Sequence, residues 1–355
     1  MKVLSMPSRL RAVAAGAAAV AGVTAALVTG ATAQQQDFSK TEVDIVHVRG
    51  NVYMLAAEGG SNVTVHFGPE GALVVDTHFA PMAPKLIEAI KKVSGDAPIR
   101  FVVNTHSHPD HVGGNEAIAK AGRFRAGGNV VGDIGGAATA TANIVAHENA
   151  LNRMVMPPAG QPEPSAASLP TVTFFNNQRD MLFNDEAVQM IHQPKAHTDG
   201  DIVVFFRRTD VISTGDLFTT VMYPFIDAAN GGSTNGLIQA LNNIINITVP
   251  SNVNEGGTLV IPGHGRLSDE QDVIEYRDML TIVRDRIQEY VKRGMTLEQV
   301  RAKQPTLDWD ARYGLNAAFW STERFIEQIY KDMVALNPPP APARSQRGRS
   351  AGSGK

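Results

Sequence analysis

The ten residues Thr105-His106-Ser107-His108-Pro109-Asp110-His111-Val112-Gly113-Gly114 constrain this chain more tightly than any other part of it. Three imidazoles and a carboxylate fall within six positions, directly after the apolar stretch 99–104, which reads as a strand. In extended backbone, His106 and His108 lie two residues apart, point the same way and can share one metal ion. Asp110 and His111 come after Pro109 has turned the chain, so they can face a second ion. The Gly113-Gly114 pair then lets the backbone pass closely before a helix expected over 113–121. A lone histidine is usually an ordinary core or surface residue. Four ligand-type residues in this order at a strand end read as a metal site.

Two ions need more than four ligands. The chain contains no cysteine, which excludes thiolate zinc sites, disulfide scaffolds and cysteine nucleophiles together. The remaining ligands must then be imidazole or carboxylate, and three candidates sit beside expected strands. His197 lies in Ala196-His197-Thr198-Asp199-Gly200-Asp201, Asp216 in Ser213-Thr214-Gly215-Asp216, and His264 in Ile261-Pro262-Gly263-His264-Gly265. Singly each is weak, since a carboxylate after glycine is commonly a turn residue. With the first cluster they make seven, a number that suits two ions sharing one bridging carboxylate.

Short β-type runs are expected at 43–48, 52–56, 62–67, 72–76, 99–104, 171–175, 187–192, 201–206, 211–214 and 259–261. Apolar residues at helical spacing predict helices over 84–93, 137–154, 235–247, 268–292 and 322–334, with Ser268 as the N-cap of the fourth. No stretch between the two halves is rich enough in linker residues to mark a boundary. Residues 34–337 therefore read as one α/β domain.

The ends read differently. Residues 1–33 carry Lys2, Arg9 and Arg11, then an uncharged Ala- and Val-rich run, then Ala31-Thr32-Ala33. These are the parts of a secretory signal peptide cleaved after Ala33. The run is short and weakly apolar for a bilayer span, so no stable membrane span is expected after cleavage. Residues 338–355 hold four prolines, four cations and no apolar run, the composition of a disordered basic tail. The two ends hold seven of the 32 cations and none of the 35 acids, leaving the core at a formal charge of −10. Such a core repels polyanions, which argues against nucleic acid as a partner and for a small-molecule substrate. Export without cysteine fits a periplasmic or secreted enzyme.

Over nearly all of 43–335 the sequence resembles the metallo-β-lactamase superfamily. The strand-ending Asp76, the His-x-His-x-Asp-His cluster, His197, the Gly-Asp corner at Asp216 and the final Gly-His264 occur in that order. The resemblance implies a four-layer αββα sandwich with the metals at one edge of its two sheets. It implies two Zn2+ ions, the first held by His106, His108 and His197 and the second by Asp110, His111 and His264. Asp216 would bridge them and Asp76 would support the ligand loops. Imidazole and carboxylate donors suit zinc and leave iron or manganese open. Iron-dependent redox members typically carry Glu where this chain has His108, which favours hydrolysis. The implied reaction is attack on a carbonyl by a hydroxide lying between the ions, with Asp110 as the catalytic residue that orients it and accepts its proton.

Esters, thioesters, lactones and cyclic amides all fit that chemistry. Zinc β-lactamases of the best-known subclass place a cysteine at the position of Asp216 and use a nearby lysine for the drug's carboxylate. This chain has neither the thiolate nor any Lys or Arg within 217–233, whereas export favours a β-lactam. The expected function is thus an exported zinc hydrolase, either a β-lactamase or a lactonase or glyoxalase II-like thioesterase. A metal-binding protein without catalysis would be expected to lack ligands, and a nuclease to carry positive charge. Loops 57–62 and 222–233 are expected to wall the substrate cleft. His78 is a candidate for contact with substrate or ligands. His47, His66, His147, His192, Trp309 and Trp320 read as packing residues.

Overall fold

The computed structural model describes residues 37–123, 141–156, 163–314 and 320–337; the signal-type segment 1–33 and the tail 338–355 lie outside the described residues. The first sheet runs in chain order: β1 (Asp44–Arg49), β2 (Val52–Ala56), β3 (Val63–Gly68), β4 (Gly71–Val75), β5 (Ile99–Val103), β6 (Asn143–His147) and β7 (Val172–Phe174). β1 to β4 form an antiparallel meander, and β4 to β7 are parallel. The second sheet holds β8 (Gln178–Phe183), β9 (Glu186–His192), β10 (Ile202–Phe206), β11 (Val211–Ser213), β12 (Leu259–Ile261) and β13 (Ser268–Asp269), in the spatial order β13-β12-β11-β10-β9-β8. Within it β11 and β12 pair in parallel and the other pairs are antiparallel.

The central strands are apolar at nearly every position because both of their faces are covered. Along β4, Leu73 and Val75 pack between the sheets, whereas Ala72 and Val74 pack outward. Along β10, Ile202, Val204 and Phe206 face inward, and Val203 and Phe205 outward. Helices α1 (Ala83–Ser94), before β5, and α3 (Asn115–Ala121), after β5 and the single turn α2 (Pro109–Val112), cover the first sheet through Leu86, Ile90 and Ile118. Over the second sheet lie α5 (Thr234–Ile247), α6 (Glu270–Lys292) and, after the short α7 (Leu297–Ala302) and α8 (Asp310–Tyr313), α9 (Thr322–Leu336). Leu241, Leu280, Val283 and Ile329 supply that third apolar layer. The order of layers is therefore αββα, as the resemblance implied. Among the described residues no helix is long and apolar enough to cross a membrane.

Two local expectations are corrected, and one strand is added. Of the helix expected over 137–154, residues 137–140 lie outside the described residues, and the rest divides into β6 and α4 (Glu148–Met154). Ile144, Val145 and Ala146 are buried between β5 and β7, and that pairing outweighs their helical spacing. Ser268 does not cap α6. It pairs with Val260 in β13, and the Asp269 carboxylate caps the helix by accepting the Asp272 N–H at 3.1 Å. Strand β8 carries Gln178, Arg179 and Asp180 on an exposed sheet edge, so it has no apolar run for the sequence to show.

Strands β4, β5, β11 and β12 all stop at one edge of the sandwich. There the Ile202 N–H at the start of β10 donates to Thr105 O, 2.9 Å away, and ties the two sheets together.

Candidate metal centre

Asp76 leaves β4 in a left-handed conformation, φ 61°, which turns its carboxylate into the space beyond the strand ends. Only 2% exposed, it accepts three hydrogen bonds: from Thr105 N at 2.8 Å, Thr105 Oγ1 at 2.7 Å and His111 Nδ1 at 2.8 Å. It thereby fixes the loop after β5 before any ligand is placed. Gly215 plays a comparable part after β11 in the second sheet. At φ 52°, a Cβ on it would lie 2.4 Å from Thr105 Oγ1, so glycine must precede Asp216.

The seven residues singled out in the sequence come together as two groups. His106, His108, His197 and Asp216 present one donor atom each within 4.8 Å of one another, and so do Asp110, His111 and His264. Asp216 joins the groups. Its Oδ1 lies 3.1 Å from His111 Nε2 and 3.2 Å from His264 Nε2, and its Oδ2 lies 3.8 Å from His197 Nε2. His106 Nε2 and His197 Nε2 stand 3.1 and 2.9 Å from His108 Nδ1. Asp110 Oδ2 is 3.3 Å from His264 Nε2 and 3.7 Å from His111 Nε2.

The outward nitrogen of every one of the five rings has an oxygen partner. His106 Nδ1 meets Thr105 Oγ1 at 3.1 Å, and His108 Nε2 meets Asp227 Oδ2 at 2.8 Å. His111 Nδ1 donates to Asp76, His197 Nδ1 to Phe225 O at 2.7 Å and His264 Nδ1 to Gly60 O at 2.9 Å. With a cation bound, each partner would take the ring's one N–H and leave a lone pair facing the centre: Nε2 in four cases and Nδ1 in His108. Facing His111 Nε2, Asp216 Oδ1 is likewise buried, and neither atom has a hydrogen-bond partner. Buried polar atoms left without partners at the meeting of the two groups, with three imidazoles and a carboxylate on one side, fit a divalent cation.

The electrostatics differ between the groups. Burial, reinforced by neighbouring imidazoles, holds His106 well below its usual value and His197 down to about 4, so both rings stay neutral. Burial opposes charge on His111 and His264 too, but Asp216 and Asp110 overcome it, raising His111 well above its usual value and His264 to about 10. Burial alone would raise Asp110 and Asp216. His111 and His264 outweigh it, taking Asp110 down to about 2 and Asp216 well below the carboxylate range. In the protein without metal, positive charge thus accumulates on these two rings, where a cation would otherwise balance the carboxylates.

Two loops brace the centre. In 57–62, Gly60 O receives the His264 proton and Ser61 Oγ donates to Asp110 O at 2.6 Å; Asn62 bonds Gly263 O, Pro262 O and Gly265 O at 2.7 to 3.0 Å. In 222–233, the Phe225 ring stacks on His108 with centroids 5.7 Å apart, and Trp320 backs it at 4.7 Å while donating Nε1–H to Pro224 O. Trp309 lies under Arg286 away from the donor groups, so both tryptophans pack as expected. His78 is fully buried, accepts the Phe79 N–H and lies against Gly60, and it belongs to neither donor group. His47, His66, His147 and His192 belong to neither donor group. The sequence reading did not anticipate Asp227, Gly60 or Ser61, whose partners are 49 to 204 positions away and leave no local pattern.

A family profile described as Metallo-beta-lactamase superfamily matches residues 56–264. A metallo-beta-lactamase type 2 of Bacillus sp. (strain 170) is 24% identical over 221 residues, 62% of this chain and 72% of that protein. A linear primary-alkylsulfatase of Pseudomonas sp. is 22% identical over 317 residues, 79% of this chain and 58% of the sulfatase. Among solved structures, a stereoselective inverting sec-alkylsulfatase from Pseudomonas sp. superposes with a TM-score of 0.59 at 16% identity, covering 84% of this chain and 52% of that one. A metallo-beta-lactamase from Pontibacter korlensis gives 0.50 at 17% identity, covering 68% and 99%. The chain thus spans little more than half the length of these alkylsulfatases, and the structural likenesses establish the shared fold.

Proposed function

The chain belongs to the metallo-β-lactamase superfamily of metal-dependent hydrolases, and we propose that it is an exported, binuclear zinc hydrolase acting on a β-lactam-type cyclic amide. The position of Asp216 carries this reading, because its two oxygens face the imidazoles of both donor groups. His106, His108 and His197 would hold one ion, Asp110, His111 and His264 the other, and Asp216 both. An all-nitrogen-and-oxygen set suits Zn2+, with iron or manganese able to use the same donors. A bound pair would supply Lewis acidity that acidifies a water and polarises the substrate's scissile bond.

The chain's own groups do the rest. The Asp110 carboxylate is 22% exposed, and its backbone is pinned by Ser61. Held down to about 2 by His111 and His264 despite burial, it stays ionised at working pH. It therefore serves as an acceptor that orients a water O–H more than as a store for the proton. Phe225 and Trp320 present an apolar wall beside His108 that excludes water from that flank. The signal-type segment 1–33 supports a periplasmic or secreted address, where β-lactams are encountered.

The test is nitrocefin hydrolysis by the purified, zinc-loaded protein, repeated after chelation. Chelator-sensitive turnover is expected, and Asp110→Asn should abolish it while metal is retained. No turnover from protein holding two zinc ions would remove β-lactams as substrates and transfer the same assay to lactones and thioesters. One observation favours a second reading: the likeness to the alkylsulfatase structure covers 84% of this chain, against 68% for the lactamase. On that reading the substrate is an alkyl sulfate, and release of inorganic sulfate from octyl sulfate is the readout.

A further inference from the structure

The stretch Met222-Tyr223-Pro224-Phe225-Ile226-Asp227 belongs to no helix or strand, yet Met222, Tyr223, Pro224 and Ile226 are buried. Buried backbone outside regular structure must find its hydrogen-bond partners elsewhere. On one side those partners come from late in the chain. Tyr276 Oη donates to Met222 O at 3.3 Å, Tyr223 N donates to Tyr313 O at 3.3 Å, and Trp320 Nε1 donates to Pro224 O at 3.0 Å. The Tyr223 hydroxyl donates to Asp310 Oδ1 at 2.8 Å, and its ring stacks on Phe325 with centroids 4.5 Å apart. All of these partners follow residue 264, where the family match ends.

On the other side the partners are two residues of the metal centre. Phe225 O accepts from His197 Nδ1 at 2.7 Å, and Asp227 N donates to His197 O at 2.9 Å. The Phe225 ring stacks on His108, and the Asp227 carboxylate accepts from the same imidazole. The stretch is therefore a strut between the helical layer α6–α9 and the His106–His108–His197 group. Its weakest point is the Pro224–Phe225 peptide. Proline brings no N–H, and among the described residues Trp320 is the only donor to Pro224 O. Without that indole N–H a buried carbonyl has no partner, a state that folded proteins avoid. Turning the peptide towards water would relieve it and would carry the neighbouring Phe225 carbonyl away from His197.

We propose that Trp320 is a positioning residue for His197: its indole N–H holds the Phe225 carbonyl in place through Pro224 and so sets the metal affinity of the His106–His108–His197 group. The inference rests on the metal-centre part of the hydrolase reading and on no particular substrate. Replacing Trp320 with benzothienylalanine tests it, because sulfur takes the place of the N–H while the two-ring shape against Phe225 is kept. Zinc affinity is read by competition with a chromophoric chelator in two backgrounds, His264→Ala, where the first group keeps all its donors, and His106→Ala, where the second does. The replacement should weaken zinc about tenfold in His264→Ala and less than about twofold in His106→Ala. Fluorotryptophan at the same position retains the N–H and should bind zinc as tryptophan does. Benzothienylalanine at Trp309, which lies under Arg286 away from both groups, should change neither affinity. Unchanged affinity in the first group, whatever happens to stability, would show that Trp320 only packs, and equal losses in the two groups would show that it does not act through His197. Either result overturns the proposal. If the hydrolase reading alone is wrong, no substrate turns over while the selective loss of zinc persists.

Discussion

His108 Nε2 lies 2.8 Å from Asp227 Oδ2, a pairing made across 119 positions of the chain. Because His108 donates there, its Nδ1 is the nitrogen left for the centre, unlike the other four rings. Asp227 is itself held by Asn230, through its backbone N–H at 3.1 Å and its side-chain amide at 2.6 Å. Asp227→Ala frees the ring to rotate and to change tautomer. The affinity of the His106–His108–His197 group for zinc should drop about 10- to 100-fold, measured by competition with a chromophoric chelator. Asp227→Asn, whose amide oxygen can still accept from Nε2, should lose far less. Equal losses in the two variants would point to charge rather than orientation.

Gly60 is the tightest constraint on the other group. A Cβ there would lie 2.2 Å from His78 Cε1. The His78 ring cannot retreat, because its Nδ1 accepts the Phe79 N–H at 2.7 Å and the Phe38 ring meets it edge-on at 5.5 Å. Gly60→Ala must therefore shift the loop, and with it the carbonyl that orients His264. The expected result is loss of metal from the Asp110–His111–His264 group by elemental analysis and about 1–3 kcal/mol of stability. The double variant Gly60→Ala/His78→Ala removes the clash and should recover much of both. If the pair is as impaired as the single change, the clash is not the cause.

Much of this site could be read locally because metal ligands carry their own signal. His106, His108, Asp110 and His111 are close in sequence, and the other three donors end or border apolar strands, so counting donors at strand ends singles out the seven that the structure brings into two groups. What orients them could not be read that way. Asp227 and Gly60 are ordinary loop residues whose roles exist only after two sheets have folded together. The same division applies to the fold. Strands buried on both faces, such as β4 and β10, announced themselves through continuous apolar runs. β6 did not, because its Ile144-Val145-Ala146 core adjoins residues that also suit a helix, and sheet pairing decided the outcome.

Metal loading should release protons. In the metal-free protein, Asp216 and Asp110 raise His111 well above its usual value and His264 to about 10 against the effect of burial, so both rings are charged at pH 7. Bound to metal, both must be neutral. His106 and His197, held low chiefly by burial, contribute nothing at that pH. Titration with zinc in buffers of different ionisation enthalpy should therefore show about two protons released from the rings when both groups fill, in addition to any from a bound water. The release should weaken metal binding progressively as pH falls below neutrality. An absence of proton release at pH 7 would mean that the carboxylates do not charge these rings.

His66 sets a second pH dependence, remote from the metal. It lies fully buried between the sheets, 5.3 Å from the Phe206 ring, with Nε2 accepting from Asn51 Nδ2 at 3.1 Å. Its Nδ1 is buried without a hydrogen-bond partner. Burial lowers this imidazole from 6.5 to about 4, so the unfolded chain binds a proton that the folded protein refuses. The stabilisation is fully present above pH 6.5 and is lost as pH falls towards about 4, at a cost near 3 kcal/mol by linkage. His66→Leu removes this titration while leaving the ligands intact. Urea unfolding at pH 7 and pH 4.5 should then show the wild type losing more stability than the variant, by about 2–3 kcal/mol. Parallel losses in the two proteins would show that His66 is protonated in the folded state after all.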